Sequence, residues 1–118
     1  MKVSKHFTVE EIACKCGCGF ADIHAGTMYL AEQAREFLGR PVIPSSACRC
    51  PEHNAKVGGV ENSKHVLGLA IDIPCEDPEA LYTHLDKLYP NHMGLGLYKA
   101  KGFVHMDFDI NNRRRWEG

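Results

Sequence analysis

S-K-H-V-L-G-L-A-I-D (residues 63–72) and F-V-H-M-D (residues 103–107) are the two stretches that decide the fold of this chain. The first places His65 seven residues before Asp72, and the second contributes His105. Two imidazoles and one carboxylate make a three-ligand set for zinc that leaves the fourth position open, as catalytic zinc requires. The pattern therefore predicts a metal centre in which these three side chains meet.

Both stretches are predicted to lie on strands of one sheet. The residue pattern indicates strands over 69–73, 95–98 and 103–108, with a hairpin-like connection between the last two. Because side chains alternate between the two faces of a strand, Asp72 and His105 can lie side by side on one surface. The opposite face of each strand is apolar and is expected to pack on the core.

Helices are expected around these strands. A short helix is capped at Thr8, a longer one is predicted over 25–38, and a third over 51–56. A fourth begins with the sequence D-P-E and is predicted over 77–88. The order of elements predicts a single α+β domain over 1–118, with a small antiparallel sheet and helices packed on one side.

Composition argues against two classes of protein. The formal net charge is −1, whereas a nucleic-acid binder usually presents a basic face. The only basic run, 113–115, is expected to be a solvated tail or to pair with carboxylates. No apolar run is long enough to span a membrane, and residues 1–10 lack the apolar core of a signal peptide.

Six cysteines are many for a chain of this length. They occur as C-K-C-G-C-G in residues 14–19, as C-R-C in 48–50, and singly at Cys75. None of these has the C-x-x-C spacing of a zinc ribbon. Free structural thiols, disulfide pairs and a second metal site all remain open as interpretations.

The pattern S-x-H-x-x-G-x-A-x-D over 63–72 resembles the signature of the zinc D-Ala-D-Ala carboxypeptidase family. That family includes peptidoglycan endopeptidases and phage endolysins, and it shares its core with lysostaphin-type enzymes and hedgehog domains. Further segments are similar to the family: S-S-A-C-R-C-P-E-H-N at 45–54, G-L-G-L-Y at 94–98, F-V-H-M-D at 103–107 and R-W at 115–116. The resemblance covers nearly the whole chain and implies the family's hedgehog-like fold.

The resemblance also implies roles for individual residues. It assigns one catalytic Zn²⁺ to His65, Asp72 and His105. It implies that Arg49 contacts the substrate carbonyl or the oxyanion, a role that suits a permanently charged guanidinium. Ser63 is expected either to hydrogen-bond the substrate or to cap the turn that leads into His65.

Asp107 has two open interpretations. It shares a strand face with His105, which makes it the leading candidate for a catalytic general base. Alternatively, it holds the ligand histidine in the correct tautomer. Better-known members of the family place an acid three residues before the last zinc histidine, and Gly102 stands at that position here.

The sequence thus predicts a peptidase that uses zinc-activated water to cut peptidoglycan stem peptides, as a carboxypeptidase or an endopeptidase. The alternative is an inactive zinc-binding interaction module of the same fold, as in hedgehog domains. We expect a monomer that is made in the cytoplasm and carries no signal peptide. Release to the cell wall by a phage holin-type route would then bring it to its substrate.

Overall fold

The computed structural model describes residues 1–118 and contains four helices and four strands. None of the helices has the length and apolar character needed to cross a membrane. The elements are α1 (Val9–Ile12), α2 (Ala25–Leu38), α3 (Pro51–Lys56), β1 (Ala70–Pro74), α4 (Pro78–Leu88), β2 (Gly94–Tyr98), β3 (Phe103–Asp107) and β4 (Arg114–Glu117).

Local sequence explains where the helices begin and end. Thr8 and Glu11 form a capping box at α1, in which each side chain accepts a hydrogen bond from the other residue's backbone N–H. Gly39 ends α2 with a φ of 69°, a left-handed conformation that glycine adopts without strain. The side chain of Asp77 accepts from the N–H of Ala80 and caps α4. All four predicted helices are therefore confirmed.

The sheet has the strand order β1-β3-β2-β4. The three predicted strands are confirmed, and β3 pairs antiparallel with both β1 and β2. The fourth strand, β4, was not predicted and pairs parallel with β2, so the sheet is mixed rather than purely antiparallel. The sequence R-R-W-E of β4 lacks the apolar alternation of a half-buried strand, which is why it was interpreted as a tail.

One face of the sheet is covered by α2 and α4 and forms the core. The opposite face carries Asp72, His105 and Asp107 and is available for chemistry. The division follows from alternation along each strand, as predicted. The sheet contributes to the core through Ile71, Ile73, Leu95, Leu97, Val104 and Met106, and the two helices through Leu30, Ala31, Ala34, Leu81 and Leu85.

Candidate metal centre

The strand register places the predicted ligands in one row across the sheet. Asp72 on β1 pairs with His105 on β3, and His105 pairs with Gly96 on β2. Gly96 in turn pairs with Trp116 on β4. The carboxylate and the imidazole therefore stand next to each other on the open face, with His105 Nδ1 3.0 Å from Asp72 Oδ1.

His65 reaches the same point from the turn that precedes β1. The hydroxyl of Ser63 accepts from the backbone N–H of His65 at 3.2 Å and fixes this turn. The His65 ring is buried, and its Nδ1 donates to the carbonyl of Ala47 at 2.7 Å. That bond leaves Nε2 as the nitrogen with a free lone pair, and Nε2 lies 3.3 Å from Asp72 Oδ1.

The three donors fit a zinc ion. Ligand atoms of His65, Asp72 and His105 all lie within 4.8 Å of one another. Tetrahedral zinc with bonds of about 2.1 Å to nitrogen and oxygen separates its ligand atoms by about 3.4 Å. The observed separations of 3.0 and 3.3 Å are close to that value. The structure therefore brings the three predicted ligands together with the chemistry and spacing of a metal site.

Electrostatics at the centre favours an ionised carboxylate. Burial by itself would raise the pKa of Asp72, but the neighbouring imidazoles of His105 and His65 outweigh that effect and lower the pKa to about 2. For His105 burial favours the neutral ring, yet the hydrogen bonds to Asp107 and Asp72 prevail and raise its pKa. The doubly protonated form of His105 is thus favoured between these two carboxylates, and a metal ion that binds Nδ1 would replace the proton there.

Asp107 contacts the Nε2 edge of the His105 ring, whereas Asp72 contacts the Nδ1 edge. Its side chain is fully buried, and Oδ2 accepts from His105 Nε2 at 2.9 Å and from Arg114 at 3.1 Å. Oδ1 accepts from the second Arg114 nitrogen and from the backbone N–H of Asp109. Burial would raise the pKa of Asp107, but the bonds from His105 and Arg114 lower it to about 2. All four acceptor positions of this carboxylate are in use.

Arg49 lines the cleft over the metal centre, beside the start of α3. Its side chain makes one hydrogen bond, from Nη1 to Asn54 Oδ1 at 3.1 Å. Asn54 is held in turn by the carbonyl of Val60. Arg49 Nε is buried without a partner, and burial lowers the pKa of the guanidinium although Asp72 opposes that shift. An unpaired buried donor is costly and rare in folded proteins, which marks Arg49 as an unusual residue of this cleft.

The cleft has a volume of ≈ 660 Å³ and joins the predicted site residues into one surface. Ser63 lines it together with all three candidate ligands. Gly102, the position of the family's usual acid, lies outside it in the β2–β3 turn with a φ of 78°. The cleft's only acids are Asp72 and Asp107, and its cations are Arg49, Lys64, Lys101 and Arg114.

Sequence reasoning missed how β4 completes the site. Arg114 forms a two-bond ion pair with Asp107, and Arg115 binds Asp86 on α4 at 2.7 Å. The expectation that the basic run pairs with carboxylates is therefore confirmed for these two arginines. Trp116 donates to Tyr98 at 2.9 Å and lies with its ring centroid 5.2 Å from that of His105.

One comparison, with models of known protein families, agrees with this geometry. No curated protein matches the chain. The family model described as Peptidase M15 matches residues 5–107, which include His65, Asp72 and His105. This match spans most of the chain, and M15 peptidases are zinc-dependent. The chain therefore belongs to the Peptidase M15 family of metallopeptidases.

Proposed function

We propose that this protein is a zinc-dependent peptidase that hydrolyses peptide bonds in the stem peptides of peptidoglycan. The observation that carries the proposal is the convergence of His65, Asp72 and His105 on a cleft beside an unpaired Arg49 donor. Three protein ligands leave one coordination position of zinc open toward that cleft. A bound zinc ion would lower the pKa of water toward neutrality and polarise the scissile carbonyl.

Arg49 would bind the oxygen of the scissile carbonyl as negative charge develops there. Its guanidinium stays charged and is oriented by Asn54, so it presents its donors without reorganisation during the reaction. Burial strengthens this interaction because the site is partly shielded from water. Ser63 would act indirectly, since its hydroxyl already fixes the backbone of His65.

We assign Asp107 the role of a positioning residue. Its carboxylate accepts from His105 Nε2, which fixes the tautomer that leaves Nδ1 free on the side of Asp72. A general base needs a free lone pair within reach of the attacking water, but Arg114, His105 and the N–H of Asp109 occupy all the acceptor positions of Asp107. The geometry thus favours the second of the two roles considered for this residue.

The charge of the cleft supports the choice of substrate class. Lys64 is paired with Asp109, but Lys101 has no ion-pair partner and lies at the cleft with Arg49, so the surface suits a peptide that carries free carboxylates. Peptidoglycan stem peptides are rich in such groups. The resemblance of residues 63–72 to the D-Ala-D-Ala carboxypeptidase signature points to the same substrate.

Purified protein incubated with cell-wall sacculi tests this proposal. Zinc-loaded protein should release new amino termini, and a chelator or the His105→Ala variant should abolish the release. His92→Ala is the matched control, because His92 is exposed and lies outside the cleft. Mass spectrometry of the products would identify the bond that is cut. Release that persists in both His105→Ala and chelator-treated protein would refute zinc catalysis.

A catalytically inactive zinc-binding module is the second candidate. It is favoured by one observation: Gly102 replaces the usual acid, and both acids of the cleft are already engaged with histidines. Such a module would bind zinc stoichiometrically and release no amino termini from sacculi or from defined stem peptides at any pH. That result would replace the first proposal with this one.

A further inference from the structure

A second group of metal-binding side chains lies outside the cleft. Its four members are Cys14, Cys16, Cys18 and Cys50, whose sulfur atoms all lie within 4.8 Å of one another. The Cys14 and Cys16 sulfurs are 3.4 Å apart, and those of Cys16 and Cys50 are 3.7 Å apart. The fold thus selects four of the six cysteines, because Cys48 and Cys75 do not belong to the group.

The backbone explains how three cysteines at alternate positions come to face a fourth. The N–H of Cys14 donates to the carbonyl of Phe20 at 2.8 Å, which closes residues 14–20 into a loop. Gly17 and Gly19 have φ values of 84° and 91°, conformations that residues with a side chain rarely adopt. These two glycines allow the loop to fold around its own sulfur atoms.

We propose that these four cysteines form a structural zinc site, separate from the His65–Asp72–His105 centre. Four thiolates at about 2.3 Å from a tetrahedral zinc ion are about 3.8 Å from each other, close to the separations found here. A closed set of four sulfur ligands leaves no position for water, so this ion has a structural role.

Backbone donors already point at two of these sulfur atoms. The N–H of Cys50 lies 3.3 Å from Cys14 Sγ, and the N–H of His53 lies 3.4 Å from Cys50 Sγ. Such N–H groups stabilise the negative charge of coordinating thiolates, as hydrogen bonds to the ligating side chains do at other metal sites. Cys16 and Cys18 are exposed, so an ion can enter the group from solvent.

Disulfide pairing accounts for the group less well. A disulfide joins two sulfurs, whereas here four are gathered around one point. A bond within the loop would also join cysteines only two or four residues apart, a separation that rarely suits disulfide geometry. Zinc satisfies all four cysteines at once and requires no oxidising compartment.

The site would connect the N-terminal loop to the catalytic cleft. Cys50 caps α3 and directly follows Arg49, whose side chain is oriented by Asn54 on the same helix. A metal bound to Cys50 and to the 14–18 loop would therefore hold the backbone that presents Arg49. The inference concerns folding and metal content, so it does not depend on the peptidase activity proposed above.

Metal analysis and cobalt spectroscopy test the site. Protein purified under reducing conditions with Zn²⁺ should contain about two ions per chain, and both Cys16→Ser and Cys18→Ser should contain about one. Both variants change exposed side chains, and Cys75→Ser is the matched control that keeps both ions. His65→Ala should lose the other ion and retain this one. Co²⁺ bound to that variant should show strong thiolate-to-cobalt charge-transfer absorption.

Three results would overturn the proposal. The first is an unchanged zinc content in both Cys16→Ser and Cys18→Ser. The second is Co²⁺-loaded His65→Ala protein without thiolate charge transfer. The third is a disulfide among these four cysteines in protein purified under reducing conditions. Each of these measurements reads metal or sulfur directly, so inactivity on sacculi would leave this proposal standing while refuting the peptidase.

Discussion

Replacing Asp107 by asparagine separates the two roles considered for this carboxylate. An asparagine side chain has one acceptor oxygen, whereas Asp107 uses two oxygens to accept from His105, Arg114 and the N–H of Asp109. At the Oδ2 position the amide oxygen keeps the bonds from His105 and one Arg114 nitrogen, and at the Oδ1 position it keeps those from the other Arg114 nitrogen and the Asp109 N–H. In either orientation the amide NH₂ meets two donors at the other position, and the carboxylate charge that holds His105 is lost.

The size of the effect follows from these contacts. Loss of one charge-assisted hydrogen bond should lower the free energy of unfolding by about 1.5–3 kcal/mol. Loss of a partner that orients a ligand histidine should weaken zinc binding by about 10- to 100-fold, equivalent to about 1.4–2.8 kcal/mol. We therefore expect Asp107→Asn to need more zinc for activity and to regain most of its rate at saturating zinc.

Zinc titration and turnover measured on the same samples check this prediction. The zinc dissociation constant comes from competition with a chelating indicator, and the turnover number from release of amino termini at saturating zinc. Glu79→Gln is the matched control, because Glu79 is exposed on α4, pairs with Lys99 at 3.3 Å and lies outside the cleft. Its zinc affinity should equal that of the wild type.

A general base would give the opposite pattern. Zinc affinity of Asp107→Asn would then match the wild type, while turnover at saturating zinc would fall by about 10²- to 10⁴-fold. That outcome would refute the positioning role and would require that a lone pair of Asp107 becomes free when substrate binds. If Asp107→Asn and the wild type were equally stable in denaturant, the hydrogen-bond argument itself would be refuted.

Three further predictions concern other parts of the molecule. Gly96→Ala places a Cβ 2.5 Å from Trp116 and should lower stability by about 1–3 kcal/mol in denaturant unfolding. Arg49→Lys should retain zinc but lose about 10²- to 10³-fold in turnover, measured as initial rates on stem peptides. Burial opposes the ionisation of Glu32, but hydrogen bonds from the N-terminal segment outweigh it and lower its pKa. Wild type should therefore be more stable than Glu32→Gln above about pH 4.3, and urea unfolding should show the difference disappearing as pH falls through the lowered pKa.

Much of this fold was predictable because local signals agreed with the tertiary structure. The capping box at Thr8 marks the start of α1, and Gly39 marks the end of α2, and both signals can be read from the sequence. Alternation along β3 predicted which face carries His105, and the register of β1 then brought Asp72 beside it. Each of these inferences needed only a few neighbouring residues.

The remaining features depend on contacts between distant segments. The environment of Asp107 was open at the sequence level because its partner Arg114 lies on β4, a strand without apolar alternation. The group formed by the cysteines of residues 14–18 and Cys50 was equally hidden, since it arises where the N-terminal loop meets the start of α3. Spacing within one segment cannot reveal either arrangement.

The glycines of β2 show what joins these distant parts. Gly94 lies between Asp107 and Arg114 in one register row, and a Cβ at that position would overlap both side chains. Gly96 lies two residues farther along β2 on the same face of the sheet, where the Trp116 ring covers it and reaches toward the metal centre. A β2 strand with alternating glycines is therefore what allows β4 to reach across the sheet to the residues around the ligand histidine. The G-L-G-L-Y pattern keeps its leucines for the core and its glycines for the site, so both faces of this strand are set by the same alternation.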